Sequence, residues 1–351
     1  MITNSGTAAI SCAYFSLGLG PGDEVIVPTY TFAAVVTPLL RIGATPVLAD
    51  SEGETENASP NSIGEKVTRR TKAIVVTHQF GHPAEMREVN EIAEKKGLAI
   101  VEDCAHGLGA TYRGRKLGTF GLVSCFSLGT DKIVTGGSGG MLLTNDRRIY
   151  ERAVLLAYAR EKPLKEVKSR RLALYAETGL GENYGIHPLA LALIRPQFES
   201  LDLIVKARQD RMRHLSSRLR RLRGITPPVE RSYVTHAYYG YKPRFNREGL
   251  RGVTLDLYIK ALQAEGVEIK KSRLLPLHMT PLFKVGYGAA LPSRLTYKRS
   301  DLPVSASIYD RLLTLPIFTK ESLTLVNQYA DAFEKVEENA ASLRAWRPGQ
   351  S

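Results

Sequence analysis

Three cysteines occur in 351 residues, Cys12, Cys104 and Cys125, and none stands in a C-x-x-C pair. An odd count without that spacing supports neither a disulfide framework nor a zinc site, and it points to a reducing cytoplasm. No apolar run approaches the roughly 18 residues that a membrane span requires. The opening Met1-Ile2-Thr3-Asn4-Ser5-Gly6 has no basic stretch leading into an apolar core, so it does not read as an export signal. A G-x-x-x-x-G-K-[ST] loop is missing, and the glycines at 18, 20 and 22 do not fit G-x-G-x-x-G. Internal repeats and low-complexity stretches are missing as well, which excludes solenoid and fibrous architectures.

What is present is ordinary globular composition, 43% hydrophobic and 24% charged, with an unusual excess of base that leaves a formal charge of +13. A basic surface favours anionic partners. The densest basic runs cover 162–171 and 208–223. In the second, Arg211, Arg213, Arg218, Arg220, Arg221 and Arg223 alternate with Leu215, Leu219 and Leu222 at helical spacing. A solvated helix face accounts for that pattern better than a nucleic-acid surface, and a phosphate-bearing substrate would also suit the charge.

Short apolar runs at 24–27, 45–49, 73–77, 98–101, 123–126 and 141–143 are separated by segments long enough for helices, among them 10–17 and 89–96. Runs of this length, rich in β-branched residues and apolar throughout, predict βα units and a mostly parallel sheet covered on both faces. Ligands of such sheets gather at the carboxyl ends of the strands. Beyond residue 150 the spacing predicts longer helices at 150–160 and 188–222. Gly224 and the pair Pro227-Pro228 then mark a hinge. Strands at 237–245 and 267–269, with helices at 255–265, 306–313 and 321–343, complete a smaller α+β unit, and 347–351 reads as a loose end.

Three places carry chemistry. In Phe126-Ser127-Leu128-Gly129-Thr130-Asp131-Lys132 a lysine follows an apolar strand, and Gly136, Gly137, Gly139 and Gly140 come soon after it. A lysine crowded by backbone loses water, its pKa falls, and the neutral amine can attack an aldehyde. A solvated lysine beside a glycine turn would have the same letters. Val101-Glu102-Asp103-Cys104-Ala105-His106 puts Asp103 at the end of a strongly apolar strand, where a carboxylate needs a cation or serves as a helix cap. Ser5-Gly6-Thr7 precedes an amphipathic helix, which suits either a phosphate or an ordinary N-cap. Together, a phosphate cradle, an acid at a strand end and a lysine in a glycine-rich loop are the fixtures that pyridoxal phosphate requires.

Ser5-Gly6-Thr7-Ala8-Ala9, Gly20-Pro21-Gly22-Asp23-Glu24-Val25-Ile26-Val27-Pro28, Tyr30-Thr31-Phe32, Gly43-Ala44-Thr45-Pro46-Val47, Glu102-Asp103-Cys104-Ala105-His106 and the stretch 127–140 resemble the DegT/StrS nucleotide-sugar aminotransferases. Leu275-Pro276-Leu277-His278 and Leu315-Pro316 extend the likeness over nearly the whole chain. The resemblance implies an α/β, aspartate-aminotransferase-like large domain with a mostly parallel, seven-stranded sheet over residues 1–225, and a small α+β domain over 226–351. It implies that Lys132 bonds the cofactor's aldehyde and then shuttles a proton, that Asp103 pairs with the pyridine nitrogen, and that Phe32 and His106 pack on the ring. Gly6, Thr7 and Ser127 would hold the phosphate, and Asn183 would reach a neighbouring subunit's cofactor in a cytoplasmic homodimer with shared sites. His278, Tyr30 and the tyrosines at 238, 239 and 241 would approach the sugar. The substrates implied are a nucleotide-linked keto sugar and a glutamate or glutamine donor. A ketone of the cyclitol or antibiotic-precursor type is the alternative, and a non-catalytic or regulatory relative is another. The chain departs from the family at Gly185, where an arginine is usual, and at Ser138, where a glutamate is usual. The family also carries a longer segment ahead of its Ser-Gly-Thr motif, so the large domain is expected without that segment.

Overall fold

The apolar runs form the centre of the molecule, seen here in a computed structural model that describes residues 1–250, 252–285 and 296–345. The loose end expected at 347–351 lies outside the described residues. In chain order the main elements begin with strand β1 (Ile2–Thr3), helix α1 (Gly6–Leu17) and strands β2 (Glu24–Pro28), β3 (Thr45–Ala49) and β4 (Thr71–Thr77). Helix α2 (Met86–Lys96) leads to β5 (Ala99–Asp103), β6 (Val123–Ser127) and β7 (Gly140–Leu143). The strands make one seven-stranded sheet in the order β1-β7-β6-β5-β4-β2-β3. All pairings from β6 to β3 are parallel; β7 runs antiparallel to both its neighbours. The reason is local. β7 follows β6 through a loop instead of a helix, and Ser127 pairs with Gly140 at its base. Every residue of β2 is buried, as a sheet covered on both faces demands. The two-residue edge strand β1 is too short to leave a pattern in sequence.

Helix α1 starts where the Ser5 hydroxyl accepts the N–H of Ala8 at 3.1 Å, and it stops at Gly18, whose φ of 74° is the left-handed closure that glycine permits. The helix expected at 150–160 begins earlier, as α3 (Arg147–Ala157), because Asp146 caps it through the N–H groups of Arg148 and Ile149. The single helix expected at 188–222 is two, α4 (Pro188–Glu199) and α5 (Leu201–Leu219), parted at Ser200, which leaves helical angles (φ −100°, ψ 4°). Pro196 lies just before the break and has no N–H to give the preceding turn. The strand expected at 237–245 is a strand only at Arg244–Phe245. Its first part docks instead on Phe80 and Gly81, through Ala237 N–H to Gly81 O (2.9 Å) and Gly240 N–H to Phe80 O (3.1 Å). A strand does form near 267–269, but over Lys270–Lys271. Helices α6 (Leu255–Ala264), α7 (Pro303–Arg311) and α8 (Leu323–Glu338) follow the remaining periodicity closely.

Two apolar clusters pack against the two faces of the sheet, and a third joins Phe245, Tyr258, Leu262, Leu313 and Phe333. Helix α5 serves two of them: Val205 belongs to a sheet cluster, whereas Met212, Leu215 and Leu219 belong to the third. Cys12, Cys104 and Cys125 are buried and unpaired. Among the described residues, no helix is long and apolar enough to cross a membrane.

A heavily engaged polar group of the core is Glu102, fully buried in β5. Its carboxylate accepts N–H bonds from Phe120 (2.7 Å), Gly121 (2.6 Å) and Gly118 (2.9 Å), and it faces His78 Nε2 at 3.2 Å. His78 Nδ1 accepts the N–H of Ala84, so Nε2 carries the proton and donates it to Glu102. Burial would raise the pKa of Glu102, but the bonds from His78, Gly121 and Gly118 outweigh it and hold the value below 4.5. A carboxyl depressed on folding stabilises the fold above its unfolded pKa, and that contribution is lost as pH falls through the folded value. Glu102→Gln is therefore expected to cost about 3 kcal/mol at pH 7, since an amide cannot satisfy four donors. In urea titrations the gap between Glu102→Gln and the parent should shrink on acidification; a gap that is constant with pH, or negligible at pH 7, would contradict this account.

Candidate active site

The carboxyl ends of β4, β5 and β6 open into a cavity of about 580 Å³, and Thr77, Asp103 and Ser127, the last residues of those strands, line it. Lys132 enters from the loop that joins β6 to β7. That loop is tied down by Leu128 N–H to Gly139 O (2.8 Å), Gly136 N–H to Leu128 O (3.0 Å) and Lys132 N–H to Gly129 O (3.1 Å). Burial lowers the pKa of the Lys132 amine, against the pull of Asp103 and Asp131. The amine touches the hydroxyl of Tyr239 at 3.2 Å.

Asp103 is buried, with Oδ1 accepting the N–H of Ala105 (3.0 Å) and Oδ2 facing the Thr77 hydroxyl (3.3 Å). Burial raises its pKa, and the Ala105 N–H and the Lys132 charge only partly offset this. Such a carboxylate is fixed in orientation and short of positive charge. His106 lies beside it on the cavity wall, its Nδ1 buried and without a hydrogen-bond partner among the described residues. Burial, then the charges of Lys132 and Lys242, drives its pKa well below 6.5, so the ring is neutral.

At the other end of the cavity, Gly6 and Thr7 open helix α1 opposite Ser127. A Cβ at Gly6 would fall 2.9 Å from Ser127 Cβ, so glycine is what lets helix and strand approach. A Cβ at Gly140 would fall 2.1 Å from the Ser5 carbonyl oxygen, which wedges the loop end against the helix start. The first-turn N–H groups of a helix attract an anion. A carboxylate with no ion pair and an imidazole nitrogen with no hydrogen bond among the described residues, together with a glycine-opened anion cradle, fit pyridoxal phosphate. Asp103 would take its ring nitrogen, Gly6, Thr7 and Ser127 its phosphate, and Lys132 its aldehyde.

Lys132, Gly6, Thr7, Phe32, Asp103, His106 and Ser127 thus share one cavity wall, and Ser138 joins them. Phe32 remains 65% exposed at the rim. Five residues named from the sequence stand elsewhere. Tyr238 and Tyr241 are buried outside the cavity, their hydroxyls bonded to Glu230 (3.1 Å) and Ser216 (2.9 Å). His278 is fully buried, its Nδ1 2.8 Å from the Thr29 hydroxyl, and it does not line the cavity. Tyr30 is 1% exposed, with its hydroxyl 3.5 Å from that of Ser272 and its ring edge-on to Phe80. Asn183 is exposed and outside the cavity, close to Gly185 on a segment tied to α3 by Glu182 N–H to Leu156 O and Tyr184 N–H to Ala157 O. Thr77 was absent from the sequence reading, although its place at a strand's carboxyl end is the signal that singled out Asp103. Tyr239 carried only a general sugar-facing expectation; its contact with Lys132 depends on a long-range docking that periodicity does not show. His78, Glu102 and Cys104 bring potential metal-ligand atoms within 4.8 Å of one another, but both His78 nitrogens and the Glu102 carboxylate are already hydrogen-bonded as described.

A lysine behind a strand, facing a buried acid across a parallel sheet's carboxyl edge, defines a pyridoxal-phosphate enzyme of the aspartate-aminotransferase fold. The chain belongs to the DegT/DnrJ/EryC1/StrS aminotransferase family, whose family model matches residues 1–333. It is 36% identical over 279 residues to GDP-perosamine synthase of Caulobacter vibrioides, covering 79% of this chain and 72% of that one. To L-glutamine:scyllo-inosose aminotransferase of Streptomyces griseus it is 32% identical over 350 residues, 96% and 81% of the two chains. The solved aminotransferase of Psychrobacter cryohalolentis superposes with a TM-score of 0.85 at 26% identity, covering 97% of this chain and 87% of the other.

Gly6→Ala is expected to weaken pyridoxal phosphate binding by about tenfold or more while far-UV circular dichroism stays as in the parent, because the added methyl closes the cradle on Ser127. Equal affinities in a spectroscopic titration would show that the cradle lies elsewhere.

Proposed function

We propose that this protein aminates a keto sugar carried on a nucleotide diphosphate, with glutamate or glutamine as the amino donor, in the cytoplasm. The observation that carries the reading is the shared cavity of Lys132, Asp103 and the Gly6–Ser127 cradle, which provides for the aldehyde, the ring and the phosphate of one cofactor. Bound pyridoxal phosphate would supply an aldehyde that accepts the amino group and a ring that withdraws electrons. Asp103, oriented by Thr77 and Ala105, would hold its negative charge toward the ring nitrogen. Lys132, its amine biased toward the neutral form by burial, takes a proton from the substrate carbon and later returns it. His106 offers a neutral ring and Phe32 an apolar one at the rim.

The nucleotide part of the reading is supported by the similarity to a GDP-perosamine synthase and by the surplus of positive charge, which suits a diphosphate. The similarity to a scyllo-inosose aminotransferase supports the second reading, a cyclitol ketone, which the same cavity residues would serve.

A second copy of the chain belongs to this proposal. Leu189 and Leu193 stand one turn apart on α4 and are 71% and 59% exposed, Leu203 on α5 is 73% exposed, and Phe32 is open at the cavity rim. Exposed leucines at such spacing call for a partner surface. Asn183, outside its own cavity, would then serve the partner's.

Incubation of the protein with pyridoxal phosphate, glutamate or glutamine and a nucleotide-linked keto sugar should yield the amino sugar, detected by mass spectrometry. Lys132→Ala should lower the rate by about three orders of magnitude or more and abolish the absorbance of the lysine-bound cofactor. An absorbance that survives Lys132→Ala unchanged would sink the assignment. Turnover of an inosose but of no nucleotide sugar would favour the second reading.

A further inference from the structure

Lys132 meets Tyr239 in two ways: the phenolic oxygen lies 3.2 Å from Nζ, and the ring centroid lies 4.3 Å from it. The same ring lies on His106 at 3.9 Å with 10° between the planes. Tyr239 therefore touches both the amine and the imidazole that face the cavity, and it lines the cavity itself.

The backbone that delivers it is under strain. Phe80 (φ 52°) and Tyr238 (φ 49°) are bulky residues in the left-handed region, which side chains seldom tolerate. They meet at Gly81 (φ 99°), where a Cβ would come within 2.9 Å of the Tyr239 nitrogen. The bonds from Ala237 to Gly81 and from Gly240 to Phe80 lock the crossing. Strain of this kind persists only where the surroundings over-determine it, and here it aims one ring at Lys132.

We propose that Tyr239 is a catalytic residue of the transamination, its hydroxyl holding the Lys132 amine in position in both of the amine's protonation states. A phenol suits this because it donates its O–H to the lone pair of a neutral amine and accepts an N–H from an ammonium. As Lys132 takes a proton from the substrate carbon, the C–H bond breaks, an N–H bond forms, and the electron pair stays with the carbon. Tyr239 keeps its own proton and turns it away from Nζ. When Lys132 returns the proton, the hydroxyl turns back to donate.

The surroundings agree. Burial and Asp131 raise the pKa of Tyr239, against the effect of Arg208, so the phenol stays protonated. Asp103 and Asp131 are the charged groups facing the amine, Arg208 faces the phenol, and His106 is neutral. The role rests on the aminotransferase reading and adds to it a residue 107 positions from Lys132 in sequence.

Tyr239→Phe keeps the ring and its stack on His106 and removes only the hydroxyl. Mixing the cofactor-free full-length protein with pyridoxal phosphate at a series of pH values, followed by absorbance, reads aldehyde capture by Lys132 without any turnover. A buried ammonium loses more than a neutral amine when an acceptor is removed, because bonds to charged groups are stronger. The pH midpoint of capture should therefore move down by about half a unit or more in Tyr239→Phe. The half-reaction with glutamate should slow by about tenfold or more, with KM within about twofold of the parent. Midpoint and rate both matching the parent would overturn the role. Tyr239→Leu separates ring from hydroxyl: Phe and Leu variants that shift alike support the proposal, whereas a parental Phe variant beside an impaired Leu variant reduces Tyr239 to packing and defeats it. A parent that captures no pyridoxal phosphate at all defeats the aminotransferase reading and this role together, a result distinct from capture that Tyr239→Phe leaves unchanged.

Discussion

Alternation along one strand decides which of two neighbouring acids is structural and which is chemical. Successive side chains of a strand point to opposite faces, so Glu102 and Asp103 at the end of β5 face different surroundings. Glu102 faces the turn at 118–121 and fills its acceptor sites with three N–H groups and His78. Asp103 faces the cavity with a raised pKa and fewer donors. The first fixes where β5 ends and how the chain re-enters at β6; the second is presented by that fixed end. A slip of one residue in β5 would exchange their faces, taking Glu102 away from the donors of the turn and Asp103 away from the cavity.

The phosphate end of the site depends on backbone contact where the acid end depends on hydrogen bonds. Loop 128–139 returns to the sheet at Gly140, which presses on the Ser5 carbonyl, while Gly6 presses on Ser127. Helix start, strand end and loop end therefore form one packed corner. Lys132 is placed by that corner, since the loop carrying it is closed by Leu128 and Gly139. The glycines that make the sequence look flexible here mark the tightest backbone approach in the site.

Much of this was readable in the letters. Six of the strands announced themselves as apolar runs because a sheet covered on both faces leaves no room for alternation, and a strand end then located Asp103, whereas the role of Ser127 came from the resemblance. The order of the strands, the reversal of β7 and the two-residue β1 were not readable, since they follow from long-range pairing. Motif likeness placed Gly6, Thr7, Phe32 and His106 in the cavity wall they do occupy. The same likeness put Tyr30 and His278 near a substrate, and in this chain both are packed inside, held by Ser272 and Thr29. A stretch read as one strand, 237–245, hid Tyr239, because the left-handed angle at Tyr238 has no signature in a tyrosine. The break at Ser200 was half visible in Pro196.

Helix α5 runs for 19 residues, a rod about 28 Å long, with its first half set in the sheet's core and its second half in the C-terminal one. Between those halves, Arg208 Nη1 donates to the carbonyl of Tyr238 at 3.2 Å, and Gln209 Nε2 donates to that of His236 at 3.0 Å. The rod is thus a lever with its grip on the segment that carries Tyr239. Any rotation of the C-terminal core would therefore pass, through one guanidinium and one amide, to the segment whose aromatic ring stands against the reactive amine.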